Sequence, residues 1–100
     1  MIKVEVIKEN NFLKEITIKG HANYDDYGKD IVCASVSSMV ITTVNGILSI
    51  DKDVIDVIEK NGFTKIEVIK NTLVADNLLN NLIDLLKELE EQYPENIQIL

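Results

Sequence analysis

Two of the side chains most used in catalysis are nearly missing from this sequence: it holds one cysteine and one histidine among 100 residues. A single cysteine excludes an internal disulfide and a multi-cysteine zinc site, and it suits a reducing compartment in which a free thiol survives. Basic charge is also scarce. Lysine and arginine number 10 against 17 acidic residues, for a net charge of −7. That balance argues against binding RNA or DNA through a broad basic surface, and it is compatible with a basic partner. No membrane-spanning run is expected. The opening Met1-Ile2-Lys3-Val4-Glu5-Val6 alternates like a strand rather than reading as a signal peptide, so the expectation is a cytoplasmic protein with no membrane partner. No linker or low-complexity stretch divides residues 1–100, which read as one domain. Its core is small enough that pairing into a dimer is expected.

Hydropathy patterning supplies the elements. Ile2 to Lys8 places Ile2, Val4 and Val6 on one face, and Leu13 to Lys19 places Ile16 and Ile18 on one face. With a turn at Glu9-Asn10-Asn11, the two strands form a hairpin. Gly20 then permits a sharp change of direction, and Ala22 to Lys29 has no periodicity and reads as a surface loop. Asp30 has the character of a helix N-cap, before a stripe of Val32, Val36, Met39, Val40, Thr43 and Ile47 that runs to about Ser49. Its β-branched residues leave this helix dependent on tertiary packing.

A second hairpin joins Val54–Lys60 to Phe63–Lys70 through Asn61-Gly62, a pair suited to a type I′ turn. That turn sets Val57 opposite Ile66 and Ile55 opposite Val68, although residues 54–60 also fit a helical pattern. Val74 to Gln92 is a strongly amphipathic helix carrying Ala75, Leu78, Leu79, Leu82, Leu85, Leu86 and Leu89 in one stripe, and Pro94 ends it. Asn96 to Leu100 alternates weakly, as a short terminal strand would. The fold class is α+β: a two-layer, mostly antiparallel sheet with both helices packed on one face, in the order ββαββα plus that terminal strand. The acidic run Glu88, Glu90, Glu91 reads as solvated surface.

The lone histidine and cysteine fall close together, 12 positions apart (33 − 21), across a loop that lets the chain fold back. A thiol attacks as its thiolate and needs a base, and only imidazole titrates near neutrality unaided. With Asp30 as cap, Cys33 lies in the first helical turn, where free N–H groups and the helix dipole favour an anion and can also stabilise an oxyanion. Asp30 opposes the thiolate through its own charge, so its role as cap, or as a partner orienting His21, has to outweigh that cost. In the reaction this pair allows, His21 takes the thiol proton, Cys33 attacks a peptide carbonyl, His21 protonates the leaving amine, and water releases the acyl group.

Blander readings attach to the same residues. Cys33 can be a small buried hydrophobe, and His21 can simply satisfy hydrogen bonds at a strand end. Ser37, one turn beyond Cys33, either orients the thiol or substrate or is back-bonded to its helix. Asp25, Asp26, Asp30 and His21 match no metal-binding spacing, so neither a metal nor another cofactor is expected.

Gly20-His21-Ala22, the segment Tyr27-Gly28-Lys29-Asp30-Ile31-Val32-Cys33-Ala34, and Ser37 together resemble the ribosomal-processing cysteine protease family Prp. The similarity extends along the chain, through Thr43-Val44-Asn45 and the acidic leucine-rich helix. Ser35 stands where relatives often have glycine. The resemblance implies a homodimeric α+β endopeptidase. Such an enzyme removes the N-terminal extension of a large-subunit ribosomal protein precursor, the bacterial homologue numbered twenty-seven, at a hydrophobic sequence containing a phenylalanine pair. It implies Cys33 as nucleophile and His21 as base, with Asp30 and Ser37 at motif positions. It further implies a substrate loop over residues 22–29, with Tyr27 in the loop and Gly20 and Gly28 suited to its hinges. Two other functions remain open on the residues alone: a non-enzymatic ribosome-assembly factor with a structural cysteine, and a thiol redox sensor.

Overall fold

The computed structural model describes residues 1–26 and 29–100. Tyr27 and Gly28, expected as loop or hinge residues, lie outside the described residues.

Five strands and two helices follow the expected order: β1 (Ile2–Glu9), β2 (Phe12–Lys19), α1 (Ile31–Ile50), β3 (Ile55–Lys60), β4 (Phe63–Val68), α2 (Leu73–Gln92) and β5 (Ile97–Ile99). Their order across the sheet is β3-β4-β2-β1-β5. Every pairing is antiparallel except β1 with β5, which run parallel through Ile2↔Ile97 and Val4↔Ile99. Residues 55–60 are strand rather than helix, because pairing with β4 sets Val57 against Ile66 and Ile55 against Val68. The same apolar row continues through Ile16 and Ile18 of β2 to Val6 and Val4 of β1. The opposite parity carries Glu5, Glu15, Lys19, Lys65 and Glu67, joined by exposed or half-exposed ion pairs of 3.5 to 3.8 Å. One sheet face is therefore apolar and covered by both helices, and the other is charged.

The turns correct one expectation. The type I′ conformation needs positive φ at both central residues, and Asn61-Gly62 does not supply it: only Gly62 is positive, at 71°. The left-handed pair is instead Asn10 and Asn11, at 54° and 68°, between the Glu9↔Phe12 ends of the first hairpin. Asparagine tolerates this region because its short side chain can hydrogen-bond locally.

The helices differ in character. α2 starts on Thr72, whose hydroxyl accepts from the Ala75 N–H at 3.2 Å, and buries Ala75, Leu79, Leu82, Ile83, Leu86 and Leu89. Its Asp76 also accepts from the Leu13 N–H of β2, which ties helix to sheet. Glu90 is not simply solvated as expected, because it accepts the Ile99 N–H of the outermost strand at 2.8 Å. α1 overturns the expectation that no segment reaches membrane-spanning length. It is 20 residues long with a mean hydropathy of 1.8. Serine, threonine and asparagine interrupt its apolar residues, but none of them is charged, so the mean hydropathy stays high. Val32, Val36 and Ile47 of α1 join the core, while Ile41 and Ile50 are more than half exposed.

Candidate active site

The start of α1 is built by Asp30. Its Oδ1 accepts from the N–H groups of Val32 and Cys33, both at 3.0 Å, which caps the helix and fixes Cys33 as its third residue. Its Oδ2 accepts from Tyr24 at 2.9 Å and Asp25 at 3.4 Å. One carboxylate thus holds the helix start and the preceding loop together, and both of its oxygens are occupied by backbone. Partial desolvation raises the Asp30 pKa, but the N–H groups of Cys33, Tyr24, Asp25 and Val32 together outweigh it, and the net value lies below the ordinary 3.8. Among the described residues no hydrogen bond joins Asp30 to His21.

Cys33 is half-buried and free. Its Sγ accepts a hydrogen bond from the Ala22 N–H at 3.3 Å. Ala22 is 1% exposed, so this donor is shielded from water. The sulfur therefore receives a backbone donor from Ala22 and sits in the first turn of α1.

His21, exposed, follows Gly20 at the end of β2. Gly20 has φ 92°, and a Cβ there would stand 2.5 Å from the Met1 carbonyl oxygen, so the chain passes through a point that only glycine fits. Its N–H donates to the Gly62 carbonyl at 2.8 Å, which fastens the end of β2 to the β3–β4 turn. That turn also backs the imidazole: a Cβ on Gly62 would lie 2.9 Å from His21 Nε2.

His21 and Cys33 open onto one groove of about 970 Å³. Asp30, Ser37, Val40 and Ile41 line one side, and Glu59 to Thr64, the β3–β4 tip, line the other. Ser37 is exposed to this groove, whereas Ser35 is back-bonded to its helix, its hydroxyl donating to the Ile31 carbonyl at 2.7 Å. Among the described residues no three His, Cys, Asp or Glu side chains converge as metal ligands. The arrangement places a half-buried sulfur in the first turn of α1 and an imidazole on the same groove, the two side chains that acyl transfer to a thiol needs.

Two parts of the site escaped the sequence reading. The Ala22 amide carries no side-chain signal, and the 59–64 hairpin was legible as a turn but not as a wall of the cleft.

Comparison with known proteins places these features in a family. Residues 1–98 match the family model described as cysteine protease Prp. The ribosomal processing cysteine protease Prp of Staphylococcus aureus (strain Mu50 / ATCC 700699) is 31% identical over 103 residues, covering 99% of this chain and 97% of that protein. The crystal structure of an essential S. aureus ribosomal processing protease Prp with a covalently linked product peptide superposes with a TM-score of 0.93. It has 29% identity and covers 99% of this chain and 97% of the other. The S. aureus enzyme with a substrate peptide gives a TM-score of 0.87 at 28% identity, over 100% and 98% of the two chains.

Proposed function

Since the chain belongs to the Prp family of ribosomal-processing cysteine proteases, we propose that Cys33 is its nucleophile and His21 its general base and acid. The observation that carries this reading is the placement of Cys33 Sγ against the Ala22 N–H, on a groove that His21 shares. His21 removes the thiol proton, and the sulfur adds to the scissile carbonyl. The resulting oxyanion forms beside the N-terminal end of α1, whose dipole favours negative charge. Collapse breaks the C–N bond, and the imidazolium gives its proton to the departing amine. A water molecule, deprotonated by His21, then attacks the thioester. Breaking the C–S bond returns Cys33 and releases the carboxylic acid. The product peptide held covalently in the S. aureus structure is consistent with acylation of a thiol in that relative.

The substrate in this reading is the precursor of the large-subunit ribosomal protein numbered twenty-seven, cut near a phenylalanine pair. Val36, Val40, Ile41 and Phe63 give the groove an apolar lining suited to such residues. A net charge of −7 favours encounter with a basic ribosomal protein and disfavours direct nucleic-acid binding. The protein acts in the cytoplasm, where its free thiol stays reduced. It works as a homodimer. Support for that pairing is the uncovered apolar surface of α1, where Ile31, Ile41 and Ile50 are 50%, 52% and 64% exposed. Ser37 orients substrate in the groove.

The test is cleavage of a peptide bearing the Phe-Phe extension under reducing conditions. Wild type cuts it, Cys33→Ser does not, and His21→Ala is slowed by at least about 100-fold. An intact peptide after incubation with wild type refutes the substrate assignment. Unchanged cleavage by His21→Ala refutes the assigned base.

A further inference from the structure

We propose that Asn96 is a positioning residue for the Cys33 thiolate, acting from the far end of the chain through Ala22. The inference rests on Cys33 being the nucleophile, as argued above. Asn96 Nδ2 donates to the Ala22 carbonyl at 3.0 Å, across 74 positions of sequence. Ala22 N–H in turn donates to Cys33 Sγ at 3.3 Å. These two groups belong to successive peptide units, so Asn96 does not polarise the donor directly. It fixes the orientation of the residue that carries it.

That orientation needs fixing. Asn23, next in the chain, sits at φ 56°, a left-handed conformation that a non-glycine residue adopts at a cost. On the other side stands His21, exposed, whose imidazole among the described residues makes no hydrogen bond of its own. Ala22 lies between them at 1% exposure, and Asn96 ties the Ala22 carbonyl to a rigid neighbour. Its backbone N–H donates to the Tyr93 carbonyl at 2.9 Å and its carbonyl accepts from Ile2 N–H at 2.9 Å, where β5 meets β1. The parallel pairing of a three-residue terminal strand thus carries an anchor to the catalytic loop. With the anchor in place, the Ala22 N–H stays aimed at the sulfur whether or not substrate is present, and the thiolate gains a donor that need not reorganise during attack.

The experiment uses the full chain and needs no substrate for its first arm. In ¹⁵N-labelled wild type, the Ala22 backbone amide and the Asn96 side-chain amide are followed by NMR across the Cys33 titration. Both are expected to shift with one midpoint, and both are expected to be flat in Cys33→Ser. An Asn96 signal indifferent to Cys33 ionisation overturns the proposal, and this arm stands even if every Asn96 variant unfolds.

In the second arm, Asn96→Leu and Asn96→Asp remove the donor, and alkylation by iodoacetamide is measured against pH. Loss of one hydrogen bond's alignment predicts alkylation at neutral pH slowed by about 3- to 10-fold, with the profile displaced to higher pH. On the peptide, kcat falls by a similar factor and KM stays within about twofold. Variants with an unchanged melting temperature and a wild-type alkylation profile overturn the proposal. An alkylation profile that responds to Asn96 while wild type leaves the peptide intact upholds this inference and refutes the substrate assignment instead.

Discussion

The imidazole of His21 rests against a residue with no side chain: a Cβ on Gly62 would come within 2.9 Å of Nε2 and 3.4 Å of Cε1. The β3–β4 turn therefore limits where the proposed base can stand. Because Gly62 also has φ 71°, Gly62→Ala carries two penalties, a left-handed alanine costing about 1–2 kcal/mol and a displaced ring. The expected outcome is a lower melting temperature together with a loss of kcat/KM of at least about 10-fold, larger than the stability change accounts for at a temperature where the variant is folded. Wild-type kcat/KM in folded Gly62→Ala protein would show that the turn does not position His21.

Gly46 provides the opposite case. It lies inside α1 at an ordinary helical φ, and a Cβ there meets nothing within 4 Å. Gly46→Ala removes backbone freedom from the unfolded chain without strain in the folded one. A gain of about 0.5–1 kcal/mol is expected, with peptide cleavage unchanged. Chemical denaturation measures it, and a destabilised variant would mean that this face of α1 is packed against another surface.

Asp30 sets an acid limit. Its carboxyl titrates below 3.8 in the folded protein, so its contribution is fully present above that value and is lost as the pH falls through the lower, folded-state value. The stability gap between wild type and Asp30→Ala is therefore constant near neutrality, at about 1 kcal/mol for a lost cap, and closes as acid protonates the wild-type carboxylate. Asp30→Ser separates the two oxygens. A serine hydroxyl keeps a cap for α1 but cannot also reach Tyr24 and Asp25. Its stability stays close to wild type while cleavage drops, because the loop is no longer fastened to the helix. A gap that persists unchanged after the Asp30 carboxyl has protonated, as followed by NMR, would contradict the assigned cause.

The parts of the architecture that sequence could reveal are those governed by short-range periodicity. Alternation in Ile2–Lys8 and Phe63–Val68, the leucine stripe of α2 and the Asp30 cap each depend on neighbours within one or two turns, and all form as the pattern dictates. The choice between helix and strand for residues 55–60 was ambiguous locally and was decided by the partner strand β4. The site divides the same way. His21 and Cys33 are conspicuous because each is the lone example of its type, and the first helical turn is where a thiolate is favoured. Ala22 N–H, Gly62 and Asn96 are not conspicuous. A backbone donor has no letter, a glycine's missing Cβ matters only once the ring beside it is known, and Asn96 reaches the site across 74 positions through the β1–β5 pairing. Side chains that react can be read from a chain, whereas groups that hold them in place are set by tertiary contact.

Tyr24 and Tyr93 extend the same hold to the outer part of the loop. Their rings meet edge to face, with centroids 5.3 Å apart and planes at 84°. Such a pair is worth about 0.5–1.5 kcal/mol beyond the area it buries. Tyr93 caps the C-terminal end of α2 and packs against the core, so the loop leans on a settled part of the fold. Replacing Tyr93 by leucine preserves an apolar contact there but removes the edge-to-face geometry. Amide exchange at Tyr24 and Asp25 is then expected to accelerate by about 2- to 10-fold, with little change in the exchange of α2. Tyr24→Leu should give the same acceleration at Asp25, and the double variant should add almost nothing, because either substitution already abolishes the shared interaction. Full additivity in that cycle would mean that the two rings stabilise the loop independently and that their edge-to-face contact is not what holds it.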